Sequence, residues 1–216
     1  MLEKFDSISH TPERNKERKE KLIEIRYELK EIPKWYIQGS FVLDKIFNKN
    51  FARDIDIFVP ENEKIPELKE KIPESKEKIH KVELPEKSFF PPPLRCYNTD
   101  CYLLTAQGII KPVNFPEKPK SLELLGEYVL TVEDVIRGIK ISKRYQLVVS
   151  ETVKKSWQKT LKGTFDPEWM EAMSFKSEQE VIDFIVEILK EETSKEEREP
   201  VVQELSKLIG RKITLK

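Results

Sequence analysis

The sequence predicts an α+β protein, with a mixed sheet and helices in the first part of the chain and helices alone in the second. Short apolar runs that end at proline or turn residues, at 35–37 and 55–59, are typical of strands. From Thr131 onward, amphipathic periodicity of the helical kind predominates. The expected division is therefore a head at residues 1–125 and a helical neck and tail at 126–216.

The composition indicates a globular protein with a highly charged surface. The chain has 216 residues, of which 38% are hydrophobic and 36% charged, with a formal net charge of zero. Any affinity for nucleic acid must therefore come from a local basic patch. The two cysteines, Cys96 and Cys101, are expected to be buried strand residues in a reducing cytosol. The sequence has no long apolar run and no signal-peptide pattern, so we expect a cytoplasmic protein without a membrane partner.

The elements of the head follow from local pattern. An apolar stripe predicts a first helix at 11–32, and Gly39-Ser40 is expected to form a tight turn between a strand and one or two helical turns. The Gln107-Gly108 pair predicts a hairpin. The expected strands are 35–37, 55–59, 78–84 and 96–104, and the short helix is 41–47.

The elements of the tail are predicted from caps and periodicity. Thr131 is a natural N-cap residue, and Asp134 is its expected capping partner. The apolar stripe of the third predicted helix could bury against the neck or against a second subunit, so a homodimer or a partner subunit is an expected assembly. The predicted helices are 132–146, 150–161, 177–192 and 198–209.

Two carboxylates beside a glycine turn give the sharpest chemical signal. Side chains alternate along a strand, so Asp54 and Asp56 are expected to share a face. Such a pair repels itself unless a cation joins it, and Mg²⁺ prefers hard oxygen ligands while leaving room for phosphate oxygens. Gly39 and Ser40 could offer backbone N–H groups and a hydroxyl to a triphosphate. The alternative is a strand end with solvated acids.

A second pair lies on the first helix of the tail. Asp134 and Arg137 are three residues apart and so share a helix face. Together they present an acceptor and a planar set of donors that could read the edge of a base. The alternative is an ordinary ion pair within one helix.

A basic stretch follows this pair. Residues 137–162 contain eight lysines and arginines and a single acid, Glu151, with Tyr145 and Trp157 interleaved. Basic residues interleaved with aromatic ones are typical of surfaces that bind nucleic acid, although a solvated charged face is an equal alternative. The residues predicted to bind RNA are Lys140, Lys143, Arg144, Lys154 and Lys155.

These motifs, in this order, resemble those of class II tRNA nucleotidyltransferases (CCA-adding enzymes) and bacterial poly(A) polymerases. The stretch 37–44, followed by 53–56, is similar to the glycine turn and Asp-x-Asp of that family. The stretch 94–101 looks like a degraded form of its arginine-rich strand, and 133–137 matches its Glu-Asp-x-x-Arg motif. The resemblance covers roughly residues 35 to 155.

The resemblance implies a polymerase-β-like nucleotidyltransferase head and a template-independent reaction. A nucleoside monophosphate would pass from ATP or CTP to an RNA 3′ end, with tRNA as the expected acceptor and Mg²⁺, or Mn²⁺, as the cofactor. Asp54 and Asp56 would bind the metal, and the third carboxylate would be Asp100 or Glu83. The nucleotide-binding residues would be Gly39, Ser40, Arg53, Arg95, Asn98, Asp134 and Arg137.

The sequence departs from the family pattern in three respects. Leu43 stands where the family turn has arginine, Cys96 stands where the arginine-rich strand has an acid, and the helical tail is short. Two alternatives therefore stay open. One is a minimal nucleotidyltransferase that acts on a small molecule or a protein, and the other is a non-catalytic nucleotide- or RNA-binding protein on the same fold.

Overall fold

The protein is described by a computed structural model in which the chain forms two compact units, Met1–Pro119 and Lys120–Lys216. The boundary lies a few residues before the predicted one because strand β6 (Ser121–Leu122) pairs in parallel with β7 (Val148–Val149), within the second unit. The described residues are 20, 23, 29, 35–49, 52, 55–60, 77–82, 96–126 and 129–215.

The described part of the first unit is built around a five-stranded sheet of order β3-β2-β1-β4-β5. β2 and β3 run parallel, whereas β1 is antiparallel to both β2 and β4, and β4 is antiparallel to β5. Helix α1 (Ser40–Phe47) connects β1 to β2, and a 3₁₀ turn at Asn98–Cys101 precedes β4. The strands are β1 Tyr36–Gln38, β2 Ile55–Pro60, β3 Glu77–Val82, β4 Leu103–Thr105 and β5 Gly108–Ile110.

The two faces of this sheet bury different clusters. Ile37 and Ile57 are cross-strand partners on one face, in a core cluster that includes Phe41 of α1. On the other face Tyr36 stacks on Phe58 with ring centroids 4.9 Å apart. Because side chains alternate along a strand, Gln38 and Asp56 belong to this second face. The sheet thus buries one face under α1 and carries the predicted catalytic aspartate on the other.

Most of the predicted elements of the head are confirmed. The strands near 35–37, 55–59 and 78–84, the helical turns after Gly39 and the hairpin at Gln107-Gly108 all form. The prediction of one strand over 96–104 is wrong in its first part, because the chain turns through the 3₁₀ helix before β4 begins. The predicted helix at 11–32 lies almost wholly outside the described residues.

The second unit is helical apart from the short β6–β7 pair. Its first helix begins as predicted: the hydroxyl of Thr131 accepts from the Asp134 N–H at 3.1 Å, and Asp134 Oδ2 accepts from the Thr131 N–H at 3.0 Å. A short helix after Asp166, with Pro167 in its first turn, was not predicted because it spans only six residues. The helices are α2 Val132–Tyr145, α3 Glu151–Gly163, α4 Pro167–Ala172, α5 Glu178–Glu192 and α6 Lys195–Ile209.

Helix α2 is the centre of this unit, since α3, α5 and α6 all pack against it. The core includes Ile139, Trp157, Ile185, Leu189 and Leu205, each at most 1% exposed. Across the described ranges, no helix combines the length and the apolarity that crossing a membrane requires. The chain is thus of mixed α+β class, with a sheet-containing unit followed by a helical one.

Candidate active site

One edge of the sheet gathers the predicted site residues of the first unit. Gln38 is the last residue of β1, and its cross-strand partner on β2 is Asp56. On the other side of β1, Ile37 pairs with Leu104, so the 3₁₀ turn that precedes β4 lies at the same edge. The C-terminal end of β1 and the N-terminal ends of β2 and β4 therefore meet where the sequence predicts the site.

The glycine turn packs directly on the aspartate. Gly39 has φ 88° and ψ −153°, a combination that is essentially restricted to glycine. A Cβ added at Gly39 would lie 3.5 Å from Oδ2 of Asp56, so the turn and this carboxylate are in close proximity. Gly39 is also the N-cap position of α1, with Ser40 as the first helical residue. A helix N-terminus attracts anions through its N–H groups and dipole, so this edge combines a phosphate-binding geometry with a carboxylate.

Gln38 attaches the 3₁₀ turn to this edge. The Gln38 side chain is fully buried, and its Nε2 donates to the carbonyl oxygen of Asp100 at 2.6 Å. The Asp100 carboxylate is 2% exposed, and its Oδ2 accepts from the Tyr97 N–H at 3.1 Å. Asp100 thus shapes the turn, and a role as third metal ligand stays a prediction. Asn98, the first residue of the turn, is half-buried.

Asp44 is a buried acid on α1 that was not predicted as a site residue. It is 2% exposed, and its Oδ2 accepts from the Ala52 N–H at 2.8 Å. This bond ties α1 to the segment that leads into β2, where Asp56 lies. The signal in the sequence is an acid within the apolar run 41–47, a position where a carboxylate needs a buried partner.

Both cysteines are buried, as predicted, but neither lies in a strand: Cys96 precedes the 3₁₀ turn and Cys101 ends it. Burial, together with the neighbouring charge of Asp100, raises the pKa of the Cys101 thiol to about 11. A thiol in this state is protonated at neutral pH, which disfavours a role for Cys101 as a nucleophile.

Several predicted site residues lie outside the described part of the chain: Arg53, Asp54, Glu83 and Arg95. The residues that the structure brings to one edge are Gly39, Ser40, Asp56 and the 3₁₀ turn with Asn98 and Asp100. Within the ranges that the structure describes, no three His, Cys, Asp or Glu residues form a group that could hold a metal ion. Asp54, the partner of Asp56 in the predicted metal site, lies outside those ranges.

In the helical unit, the predicted base-reading pair has an additional structural role. Asp134 Oδ2 accepts from both the backbone N–H and the hydroxyl of Thr131, at 3.0 and 2.9 Å. Arg137 lies one turn further along α2 and is half-buried. Asp134 is therefore the capping-box partner of Thr131, which fixes its carboxylate at the N-terminal end of α2.

The predicted basic surface needs correction at two positions. Lys140 is 12% exposed, and its ammonium donates to the Glu192 carbonyl and carboxylate at 2.7 and 2.8 Å. Burial lowers the pKa of Lys140, and the Glu192 charge opposes that shift. Arg144 is 5% exposed and forms a bidentate ion pair with Glu197. Lys140 and Arg144 thus hold helices together and are not part of an exposed basic face.

The other three predicted RNA-binding residues are exposed. Lys143 lies 3.5 Å from a carboxylate oxygen of Glu204, and Lys154 lies 2.7 Å from Glu151 on its own helix. Lys155 is exposed next to Lys154. Exposed pairs of this kind are weak and can exchange for a phosphate partner.

Comparison of the chain with protein-family models, curated proteins and solved structures finds no match.

The backbone of Gly39 gives a direct test of the turn. We expect Gly39→Ala to lower the stability of the protein by about 1–3 kcal/mol, because alanine is strained at this φ and ψ. The matched control is Gly163→Ala, at the end of α3, where an added Cβ meets nothing within 4 Å. That change should be neutral or stabilising by up to about 1 kcal/mol. Thermal unfolding of the two variants measures the difference, and equal transitions would contradict the strained turn.

Proposed function

We propose that this protein is a template-independent nucleotidyltransferase that adds a nucleoside monophosphate from ATP or CTP to an RNA 3′ end, with tRNA as the expected acceptor. The observation that carries the proposal is the packing of the Gly39 turn on the Asp56 carboxylate, with a helix N-terminus beside it. An anion-binding backbone next to a carboxylate is what a metal-nucleotide complex requires. The resemblance of the motifs supports the same activity.

In this proposal the residues at the sheet edge bind either the metal ion or the nucleotide. Asp56, with Asp54, would hold Mg²⁺ or Mn²⁺ through hard oxygen atoms. The bound ion would neutralise the charge that develops on the leaving pyrophosphate. Gly39 and Ser40 would hold the triphosphate through the first turn of α1, and most of the remaining rate would come from positioning. Arg53, Arg95 and Asn98 would contact the sugar and phosphates.

Base selection would fall to the start of α2. The Asp134 carboxylate already accepts two hydrogen bonds from Thr131, which fixes its position on the helix. Arg137, one turn away, would supply the donors that face the base, since a guanidinium presents several N–H groups in one plane. The capped Asp134 would then orient the base edge.

A 3′-extension assay tests the proposal. The full chain is incubated with Mg²⁺, one labelled nucleoside triphosphate at a time and a tRNA ending at its discriminator base or after the first added nucleotide. We expect extension with ATP or CTP that disappears in chelator. Nucleotide incorporation that needs no divalent metal would overturn the proposal. So would the absence of any incorporation into tRNA or total RNA.

A second acceptor class is favoured by one observation. The burial of Lys140 and Arg144 leaves fewer exposed cations for RNA than the sequence predicts. If labelled nucleotide is transferred to a protein or a small molecule while RNA is left unextended, the minimal nucleotidyltransferase is the correct reading. Metal-dependent nucleotide binding without any transfer would identify a non-catalytic binding protein.

A further inference from the structure

Helix α3 presents a column of lysines on the face opposite its buried side. Val153, Trp157 and Leu161 are the buried residues of this helix, and each is at most 1% exposed. At 3.6 residues per turn, the exposed residues Lys155, Lys159 and Lys162 fall in a sector about 60° wide, almost directly opposite. We call these three residues the lysine face.

The lysine face carries three positive charges, of which that of Lys155 acts on the nearby Glu151 carboxylate and helps to lower its pKa. Glu151 is the only acid on α3, and it pairs with Lys154 at 2.7 Å. No ion pair joins Lys155, Lys159 or Lys162 to any residue that the structure describes, whereas Lys140 pairs with the half-buried Glu192 and Arg144 with the buried Glu197. Like charges spaced by one turn repel by a few tenths of a kcal/mol, roughly 0.2–0.5 for each pair. A bound polyanion would attract all three lysines, so their charges would stabilise the complex.

Most of the exposed charges of α3 differ in sign from those of α4 and α5, whereas α6 carries exposed residues of both signs. The exposed residues of α4 and α5 are mainly acidic, in contrast to those of α3. A solvated surface with mixed charges would not be expected to separate them by helix. The exposed acids on α4 and α5 are Glu168, Glu171, Glu178, Glu180, Asp183, Glu187 and Glu191.

The dimensions of the lysine face suit a nucleic-acid backbone. From Lys155 to Lys162 the helix rises about 10 Å, and a nucleic-acid strand places a phosphate every few ångströms. Lysine ammonium groups contact phosphates as point charges on flexible stems, without reading sequence. The helix is held by the packing of Trp157 and Leu161 in the core, so the three ammonium groups are displayed from a fixed support.

We infer that the lysine face binds the sugar-phosphate backbone of the acceptor RNA. The inference rests on the proposed function for the identity of this partner. It adds Lys159 and Lys162 to the predicted RNA-binding residue Lys155. It also excludes Lys140 and Arg144 from the RNA-binding residues. The contact positions the RNA and contributes no choice of nucleotide.

The salt dependence of RNA binding tests the inference. Fluorescence anisotropy with labelled tRNA, without nucleotide, gives Kd for the full chain between about 50 and 200 mM KCl. For the triple variant K155A/K159A/K162A we expect weaker binding, by about 10- to 100-fold at the lower salt, and a log–log slope shallower by about 2. The control variant K176A/K195A/K212A removes the same charge from three other exposed lysines and should bind like the wild type. Circular dichroism establishes that both variants fold.

The outcomes separate this inference from the proposed function. If the wild type extends RNA while the triple variant binds RNA with an unchanged Kd and slope, the lysine face does not bind RNA and the proposed function still holds. The same conclusion follows if the control variant loses as much affinity as the triple variant. If the wild type binds RNA through the lysine face but transfers no nucleotide, the contact stands and the catalytic proposal fails.

Discussion

Replacing Asp56 with asparagine is expected to reduce nucleotide incorporation by about 10³-fold or more, which corresponds to about 4 kcal/mol of transition-state stabilisation. Asparagine has the same shape but lacks the negative charge that would hold the metal. Asp56 lies beside the glycine turn, so the loss should also remove Mg²⁺-dependent binding of nucleotide, measured by calorimetry. The incorporation assay with tRNA measures the catalytic effect.

The fold should tolerate this change, because Asp56 is only half-buried and asparagine preserves its volume. The matched control is Asp183→Asn, which replaces an exposed carboxylate on α5 of the helical unit with the same carboxamide. It should retain wild-type incorporation and the wild-type thermal transition. If Asp56→Asn were as active as Asp183→Asn, the metal-binding assignment at the sheet edge would have to be abandoned.

The strands and the glycine turn of this site could be predicted because their signals are local. Ile55, Ile57 and Val59 alternate with other residues, and this alternation defines a strand and its faces without knowledge of the rest of the chain. Likewise, glycine before a short apolar helix indicates a turn with positive φ, and Gly39 has one. The proximity of this turn to Asp56 follows from the antiparallel register of β1 and β2.

The turn before β4 could not be predicted in the same way. Apolar and aromatic residues flank the polar run Asn98-Thr99-Asp100, and the sequence shows no glycine or proline between 96 and 104, so the segment was predicted to be one strand. The turn is held by the local bond from the Tyr97 N–H to the Asp100 carboxylate and also by the buried Gln38 amide, which donates to the Asp100 carbonyl from 62 residues away in sequence. Contacts of this separation leave no periodic signal, so tertiary structure overrides the local pattern.

The prediction of an exposed basic stretch was wrong at Lys140 and Arg144 for a related reason. Local pattern identifies Lys140 and Arg144 as charged residues on a helix, but their partners, Glu192 and Glu197, are more than fifty residues later. Whether a lysine is buried depends on which helix packs over it, and that information is absent from the spacing. By contrast, the lysines of α3 stand opposite an apolar stripe within their own helix, so their exposure is already implied by periodicity.

The buried pair formed by Arg144 and Glu197 joins α2 to α6, and removing one member should have a large effect on stability. Both side chains are 5% exposed, and Arg144 Nη2 donates to Glu197 Oε2 at 2.9 Å. We expect Arg144→Met to destabilise the protein by about 3–5 kcal/mol, because it leaves a buried carboxylate without its partner. Chemical unfolding at neutral pH measures the change.

Two controls separate this effect from a simple loss of charge. Lys154→Met removes a cation from the exposed pair with Glu151 and should cost at most about 1 kcal/mol. The double variant R144M/E197Q removes both charges, while glutamine can still accept from the Ser194 N–H that caps α6. It should recover most of the stability lost in the single variant. A double variant as unstable as Arg144→Met would mean that lost packing, and not the unpaired charge, is responsible.

The pH dependence gives an independent readout of the same pair. Burial alone would raise the pKa of Glu197, but the hydrogen bonds and charge of Arg144, with hydrogen bonds from Ser194, hold it at about 2. A carboxyl whose folded pKa lies below its unfolded value, about 4.3, stabilises the protein above that value and loses this contribution as the pH falls toward 2. In Arg144→Met only the hydrogen bonds from Ser194 still oppose the effect of burial, so the pKa of Glu197 rises and the variant loses less stability than the wild type as the pH falls. The stability gap between wild type and Arg144→Met should therefore narrow as the pH falls from neutral to about 3, and a gap that stays constant over that range would place the origin of the effect outside the ion pair.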